Sequence, residues 1–123
     1  MAPVLDFARA IASAPEPLGP FAAFVIIRVR DGLAVGDAGF HGPPNADGEV
    51  EIGYAVVPVA RGAGIAGEAA RLLVTWALSQ PTVRTVTARV EPGNTPSERL
   101  LASLGFRSEG MRDGMTRFVL LTP

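Results

Sequence analysis

The sequence predicts an α+β fold, an α/β/α sandwich in which a mixed, mainly antiparallel sheet carries helices on both faces. Two β-favouring runs, residues 21–29 and 33–40, flank Asp31-Gly32, and Asp113-Gly114 separates the runs 106–111 and 115–121. Asp-Gly between such runs is typical of antiparallel hairpins. A strand, a long amphipathic helix and another strand lie between the hairpins, which makes the sheet mixed.

The bulk composition describes one globular domain over residues 1–123. Hydrophobic residues make up 48% of the chain and the formal net charge is −1, so no basic surface for nucleic acid is expected. No apolar run approaches the ~20 residues that span a bilayer. Asp6, with no basic residue ahead of it, is unlike a signal peptide. We therefore expect a cytoplasmic protein without nucleic-acid or membrane partners.

The residue types that are missing narrow the chemistry. The chain has no cysteine and no lysine, and its eleven basic residues besides the histidine are arginines. This excludes thiol nucleophiles, zinc–thiolate sites and the Gly-Lys-Ser/Thr of a phosphate-loop NTPase. The single histidine, His41, begins a Gly- and Pro-rich loop, residues 41–48, and is expected to be solvated. No metal site is predicted.

Two short helices are predicted near the ends of the chain. Residues 3–12 place Val4, Phe7, Ala8 and Ile11 at helical spacing. Thr95 as N-cap, with Pro96 at the first position and Glu98 three residues on, is typical of a capping box. Gly105 fits the C-terminal cap of the same helix.

The central helix, residues 64–79, carries a continuous apolar stripe. Its members are Ile65, Ala69, Leu72, Leu73, Trp76 and Ala77. We expect Trp76 to be a core residue rather than a stacking platform. A strand over residues 83–90 follows.

The strand that begins at Glu49 presents two different faces. Val50, Ile52, Tyr54 and Val56 share the face expected on the core, and Glu49, Glu51, Gly53, Ala55 and Val57 share the other. Two carboxylates followed by small residues leave room for a ligand along the strand. A surface strand with solvated acids has the same alternation, so both interpretations stay open.

The stretch Arg61-Gly62-Ala63-Gly64-Ile65-Ala66-Gly67 joins this strand to the central helix. Small residues let backbone N–H groups approach an anion, and a helix start adds unpaired donors and the positive end of its dipole. These features predict a phosphate or pyrophosphate cradle. One frame is the dinucleotide fingerprint Gly62-x-Gly64-x-x-Gly67, with Glu91 as the ribose acid. Two features argue against a dinucleotide site. Residues 58–61 separate the strand from the first glycine, and the segments before it are hairpins where a dinucleotide-binding fold needs further βα units.

The other frame, Arg61-x-x-Gly64-x-Ala66, resembles the GNAT superfamily of acetyl-CoA-dependent N-acetyltransferases. Glu51-Ile52-Gly53-Tyr54 is similar to the preceding strand in the ribosomal-protein (RimJ/RimL-like) branch. Asn94-x-x-Ser97 followed by Leu104-Gly105-Phe106 is similar to the final helix of that branch. The matches run in order from about residue 21 to residue 111. The resemblance implies a GNAT-like fold, acetyl-CoA (coenzyme A) as cofactor and an amine as acceptor.

The chain also departs from this family. Members usually begin with an additional strand and a longer helical pair that helps form the acceptor pocket. Only one short helix is predicted before residue 21, so we expect the first strand to be missing and a second copy, in a homodimer, to complete the pocket. Leu101 stands where many relatives carry a proton-donating tyrosine.

The resemblance implies roles for particular residues. Glu51, acting through water, is the candidate base for the amine, with Glu49 in reserve, unless these acids are only solvated. Ser97 protonates the departing thiolate, or is only a residue of a capped helix. The Val56 N–H stabilises the thioester oxygen. The residues implied to bind coenzyme A are Val56, Val57, Arg61, Gly62, Ala63, Gly64, Ile65, Ala66 and Asn94. Two alternatives stay open: the Arg61 side chain is only solvated, and Asn94 is only a turn residue after Pro92-Gly93.

Three functions follow from these patterns. The first is an N-acetyltransferase that acts on a protein α-amine or a small amine, by direct attack in a ternary complex. The second is a catalytically weak acyl-CoA-binding or sensor domain, and the third is a dinucleotide-binding module.

Overall fold

A computed structural model describes residues 5–9, 21, 23–28, 30–58, 61 and 64–121; of residues 5–9 and 121 it describes the backbone strand alone. Seven strands form one sheet in the order β1-β2-β3-β4-β5-β7-β6. The strands are β1 Leu5–Arg9, β2 Ala23–Arg28, β3 Leu33–Phe40, β4 Glu49–Val56, β5 Thr85–Val90, β6 Arg107–Arg112 and β7 Met115–Leu121. The helices are α1 Ile65–Leu78 and α2 Thr95–Ser103.

The sheet is mixed and mainly antiparallel, as the sequence predicts. Every neighbouring pair is antiparallel except β4 and β5, which α1 connects as parallel strands. A Cβ added at Gly67 in α1 would lie 3.9 Å from Leu100 Cδ1 in α2. The two helices that the structure describes therefore adjoin each other on one face of the sheet, whereas the sequence predicts helices on both faces. Side chains of β4, β5 and these helices form one apolar core there.

The N-terminal segment differs from the prediction. Leu5–Arg9 is a strand, paired antiparallel to β2 with Phe7 opposite Ile26, so the helix predicted over residues 3–12 is wrong there. Helical spacing over ten residues is a weak signal, and pairing with an exposed strand edge overrides it. A strand therefore does precede β2, contrary to the expectation that the first strand is missing.

The two predicted hairpins exist, but their turns differ. Arg112 lies opposite Met115, and Asp113 and Gly114 between them both have positive φ, 53° and 80°, as a two-residue type I′ turn requires. In the first hairpin Arg28 lies opposite Leu33. Its loop therefore spans positions 29–32 rather than the two residues predicted.

Helix α1 buries most of the predicted stripe. Its buried residues are Ile65, Ala69, Ala70, Leu73, Val74 and Ala77. Leu72 is 45% exposed, so its placement on the stripe is wrong, because a one-residue step turns a side chain by about 100° away from Leu73. Trp76 packs edge-on against Phe21 with ring centroids 5.0 Å apart, which confirms it as a core residue.

Candidate functional site

Strands β4 and β5 separate partway along their length. They are paired from Glu49 opposite Thr85 to Ile52 opposite Ala88, and β4 continues unpaired with β5 to Val56. The Val57 N–H donates to Val35 O at 2.8 Å, toward β3. Because successive N–H groups of a strand point to opposite sides, the Val56 N–H points into the gap beside β5.

The turn between β4 and α1 places a helix N-terminus beside this gap. Gly64 is the N-cap of α1 with φ 78°, a left-handed conformation that favours glycine, and no side chain in the described part of the chain caps the helix. The first amides of a helix have no acceptor within it, so those of Ile65, Ala66 and Gly67 are available to an anion. Gly62 and Ala63, also predicted to bind the cofactor, lie outside the described residues.

Arg61 reaches back toward the strand. Its Nε donates to Val56 O at 2.9 Å, while the rest of the residue is exposed. The guanidinium therefore spans the mouth of the gap between the end of β4 and α1. The Val57 amide, engaged by Val35, is not free to bind a ligand, which leaves only the side chain and carbonyl of Val57 for the predicted contact.

Two cavities meet at the strand gap. The first, of about 630 Å³, lies over the glycine turn and is lined by Arg61, Gly64, Ile65, Ala66, Gly67 and Leu100 among others. The second, of about 530 Å³, lies along the face of β4 that carries Glu51 and includes His41, Gly53, Arg89 and Glu91. Tyr54, Ala55, Asn94 and Ser97 line both. A ligand of bent shape could thus pass from the helix N-terminus, through the gap, to the Glu51 face.

Asn94 holds the start of α2 at this junction. It is the N-cap of the helix, and its Oδ1 accepts the Ser97 N–H at 3.4 Å, so the prediction of Thr95 as N-cap is wrong by one residue. Asparagine caps better than threonine, which favours the observed start. The Asn94 side-chain NH₂ stays available to the cavities. At the other end Gly105, with φ 96°, terminates α2 as predicted.

Ser97 and Tyr54 are joined across the gap. Their hydroxyl oxygens lie 2.6 Å apart and both residues are half-buried. Burial raises the pKa of the Tyr54 phenol, and the hydrogen bond with Ser97 opposes this by a smaller amount. Leu101, one turn further along α2, is fully buried in the core.

Glu51 lies at the start of the second cavity with two partners. Arg89 Nε donates to its Oε2 at 2.7 Å, and His41 Nδ1 lies 3.5 Å from the same oxygen. The Glu51 side chain is 25% exposed, so it is neither a freely solvated acid nor a buried one. His41 is half-exposed and covers Gly53, whose Cβ position would collide with the imidazole. The prediction of a merely solvated His41 misses both contacts.

Glu49 lies elsewhere. Its carboxylate accepts hydrogen bonds from Asn45 Nδ2 at 3.1 Å and Arg117 Nη2 at 2.9 Å, and Arg117 also binds Glu109. Those bonds, Asn45 first, lower the pKa of Glu49. The residue lines neither of the two cavities. The structure therefore separates the two acids that the alternation of β4 placed together.

The sequence did not identify Tyr54, His41 and Arg89 as site residues. Alternation placed Tyr54 on the core face, and only the docking of α2 brings a hydroxyl within reach of it. A signal for Arg89 was present only in part: the sequence predicts a strand over residues 83–90, and opposite charges on neighbouring strands often pair, but the neighbour of that strand was not predicted. Within the described residues no three His, Cys, Asp or Glu side chains could hold a metal ion, and no helix could span a membrane.

Comparison with known proteins adds an independent observation. Residues 4–107 match the model of the acetyltransferase (GNAT) domain. The chain is 41% identical over 86 residues to the uncharacterized N-acetyltransferase YjdG of Bacillus subtilis, covering 70% of this chain and 51% of that protein. It is 36% identical over 87 residues to the uncharacterized N-acetyltransferase p20 of Bacillus licheniformis, covering 71% and 48%. The chain thus spans about half the length of the curated relatives it matches.

A solved structure with a bound ligand is also similar. Mycobacterium smegmatis RimJ, in complex with CoA-disulfide, superposes with a TM-score of 0.70 at 29% identity. The superposition covers 81% of this chain and 52% of that one.

Proposed function

This chain belongs to the acetyltransferase (GNAT) domain family, and on that premise we propose that it transfers an acetyl group from acetyl-CoA to a primary amine. The acceptor class is a protein N-terminal α-amine or a small-molecule amine. The observation that carries the proposal is the meeting of two cavities at the gap between β4 and β5. One cavity suits a diphosphate and its pantetheine arm, and the other suits an amine.

The donor end is assigned to the glycine turn. The amides of Ile65, Ala66 and Gly67 bind the pyrophosphate, with the positive end of the α1 dipole behind them. We include the amides of Gly62 and Ala63 in the same cradle on the sequence pattern. Gly64, Ala66 and Gly67 have small or no side chains, which leaves room for phosphate oxygens, and no atom of the described residues beyond its chain neighbours lies within 4 Å of a Cβ placed at Gly64. The Arg61 guanidinium pairs with phosphate once it leaves the Val56 carbonyl.

The pantetheine arm is assigned to the gap itself. Val56 directs its N–H into the gap along the open edge of β4, and its carbonyl becomes available once Arg61 leaves it. Val57 can contribute only its side chain and carbonyl, and the Asn94 side-chain amide lies in the same cavity as Val56. In the transition state the thioester oxygen gains charge, and the Val56 N–H is the donor we assign to it. The support for this assignment is its direction into the gap.

The acceptor end is assigned to the Glu51 face. An amine must be neutral to attack, yet free amines have pKa values of about 8 to 10, so a base has to remove a proton. Glu51 is that base, acting directly or through one water, with Arg89 and His41 holding its carboxylate in place. Glu49 is not assigned to the reaction, because its oxygens are engaged by Asn45 and Arg117.

The family branch, the cellular location and the oligomeric state are further expectations. We assign the chain to the RimJ/RimL-like branch on its motifs and on its similarity to the CoA-bound RimJ structure. A cytoplasmic location and a homodimer stay predictions; light scattering of the purified protein measures the latter.

The test combines binding with turnover. Calorimetry with acetyl-CoA should give saturable binding and NAD should give none. Thiol release is then followed with peptides that carry free N-termini and with small diamines. Glu51→Gln should lower kcat by roughly 10²-fold or more while the acetyl-CoA affinity stays within about twofold, because a general base contributes 10²–10⁴-fold. Glu49→Gln is the matched control and should keep its rate.

The outcomes separate the alternatives. Binding of acetyl-CoA without turnover on any acceptor would favour a sensor domain. Binding of NAD instead would favour the dinucleotide module, which the mainly antiparallel sheet does not suit.

A further inference from the structure

The hydroxyl groups of Tyr54 and Ser97 form one hydrogen-bonded pair at the junction of the two cavities. We propose that Tyr54 is the proton source for the departing thiolate of coenzyme A and that Ser97 relays this proton. The inference rests on the proposed acetyl transfer and adds a residue to it. The oxygen–oxygen distance of 2.6 Å is at the short end for O–H···O bonds, so a proton can pass directly from one oxygen to the other.

The location of the pair matches the need for an acid. The thioester carbon must lie in the gap, between the Val56 amide and the Glu51 face, and Tyr54 and Ser97 border the gap from both sides. Leu101, at the position where the resemblance implies a tyrosine, is fully buried and carries no proton to give. The phenol in this chain comes instead from strand β4 and reaches the first turn of α2.

The protonation state of Tyr54 supports its role. Burial raises the pKa of the phenol, so it keeps its proton at neutral pH. The charged groups that line the same cavities are Arg61, Asp37, Glu51, Arg89 and Glu91, together with His41. Among the residues that the structure describes, Ser97 is the one group that shifts the Tyr54 pKa besides burial, and it lowers it.

The amine nitrogen forms a bond to the acetyl carbon, and the carbon–sulfur bond breaks with its electron pair going to sulfur. The Ser97 hydroxyl gives its proton to that sulfur, and the Tyr54 hydroxyl gives its own proton to Ser97. The proton lost by the amine leaves through Glu51 to solvent, and Tyr54 regains one from solvent. The products are the amide and coenzyme A as a thiol.

The experiment removes the phenolic oxygen alone. Wild type is first assayed with acetyl-CoA and a panel of peptides with free N-termini and small diamines. Tyr54→Phe is then expected to lower kcat by about 10- to 100-fold on the best acceptor, within the range for general acids. Its acetyl-CoA affinity by calorimetry should stay within about twofold. Ser97→Ala should lose a similar factor, and the double variant should lose no more than the larger single loss, because one relay is broken in each.

A pH profile distinguishes a relay from a tether. Wild-type kcat should fall at alkaline pH as the phenol ionises, and this limb should be absent from Tyr54→Phe. Ser103→Ala is the matched control, because Ser103 Oγ donates to Leu100 O at 2.6 Å in the same helix and lines neither of the two cavities. It should leave kcat and the pH profile unchanged.

Three results would overturn the proposal. If Tyr54→Phe keeps its kcat and alkaline limb, Tyr54 is not the source. If it weakens acetyl-CoA binding and lowers the melting temperature with kcat unchanged at saturation, the bond is only a tether. If wild type acetylates nothing in the panel, the proposed function fails and the inference with it, which is a different outcome from an active enzyme that does not need Tyr54.

Discussion

Arg89 Nε lies 2.7 Å from Glu51 Oε2, a contact between the two parallel strands where they begin to separate. Ion pairs that are this accessible add little to stability. The contact therefore matters more for where it holds the Glu51 carboxylate than for stability: it fixes that carboxylate at the edge of the second cavity. His41, on the other side, restricts it further.

The first prediction concerns Arg89. Arg89→Ala should lower kcat by about 5- to 20-fold, because a carboxylate without this partner samples several rotamers and loses its alignment with the amine. In a Glu51→Gln background the same change should have almost no further effect, since only the amide is left to position. Steady-state kinetics of the four proteins in this double-mutant cycle measure the coupling.

Arg71→Ala on the exposed side of α1 is the control for loss of one positive charge, and should leave kcat unchanged. Equal effects of Arg89→Ala with and without Glu51 would show that Arg89 acts on something other than this carboxylate.

The second prediction concerns the glycine at the start of α1. Gly64→Ala should cost about 1–2 kcal/mol of unfolding free energy, because its φ of 78° is strained for a residue with a Cβ. It should also weaken acetyl-CoA binding by about tenfold or more, since relaxation of the strain moves the first amides of α1. Gly110, with φ 85° and equally open surroundings in β6, provides a matched control. Gly110→Ala should lose similar stability and keep full affinity for acetyl-CoA. Equal acetyl-CoA affinity in both variants would show that the pyrophosphate does not bind at the turn before α1.

The features that the sequence predicted correctly are local ones. Asp113-Gly114, Gly105 and the alternation of β4 are read from a few neighbouring residues, and each has the expected conformation. The position of Tyr54 against Ser97 depends on residues 43 apart, and that of Arg89 against Glu51 on residues 38 apart. Local patterns can indicate which residue types tend to pair, but they do not give the strand register or helix docking that brings these particular pairs together.

The prediction of a helix where strand β1 lies was wrong for a related reason. The spacing of its apolar residues suits a helix, but an unpaired edge of β2 offers hydrogen bonds that an isolated segment cannot obtain. The prediction that Leu72 is buried was wrong because Leu72 and Leu73 fit the apolar stripe equally well by composition. The rotation of α1 against the sheet decides which of the two is buried.

The third prediction separates Glu49 from catalysis and gives it a role in stability. Its pKa is lowered in the folded state, chiefly by Asn45 and then Arg117, so the unfolded state binds the proton more readily. The stabilisation is therefore fully present above the pKa of the unfolded glutamate and is lost as the pH falls through the lower pKa of the folded state. Glu49→Gln should be less stable than wild type at pH 7 and closer to it in acid. Urea unfolding at several pH values measures this.

Asp47→Asn is the control for that series, because Asp47 is exposed in the turn before β4. It should change neither stability nor its pH dependence. A Glu49→Gln variant with wild-type stability at pH 7 but lost turnover would reverse the assignment and return Glu49 to the catalytic site.

The last prediction divides the two roles of Asn94. Its Oδ1 caps α2 through the Ser97 N–H, and its NH₂ faces both cavities. Asn94→Asp keeps a good cap but removes the donors, whereas Asn94→Ala removes both; the cap is worth about 1 kcal/mol. If the NH₂ binds the pantetheine arm, both variants should weaken acetyl-CoA binding by about 5- to 20-fold, and only Asn94→Ala should lose stability. Asn94→Ser, a neutral cap without the amide, tests whether the Asp charge alone repels the ligand: it should bind as weakly as Asn94→Asp. Wild-type affinity in Asn94→Ser would restrict Asn94 to capping, because the helix would be intact and the lost donors would have made no difference.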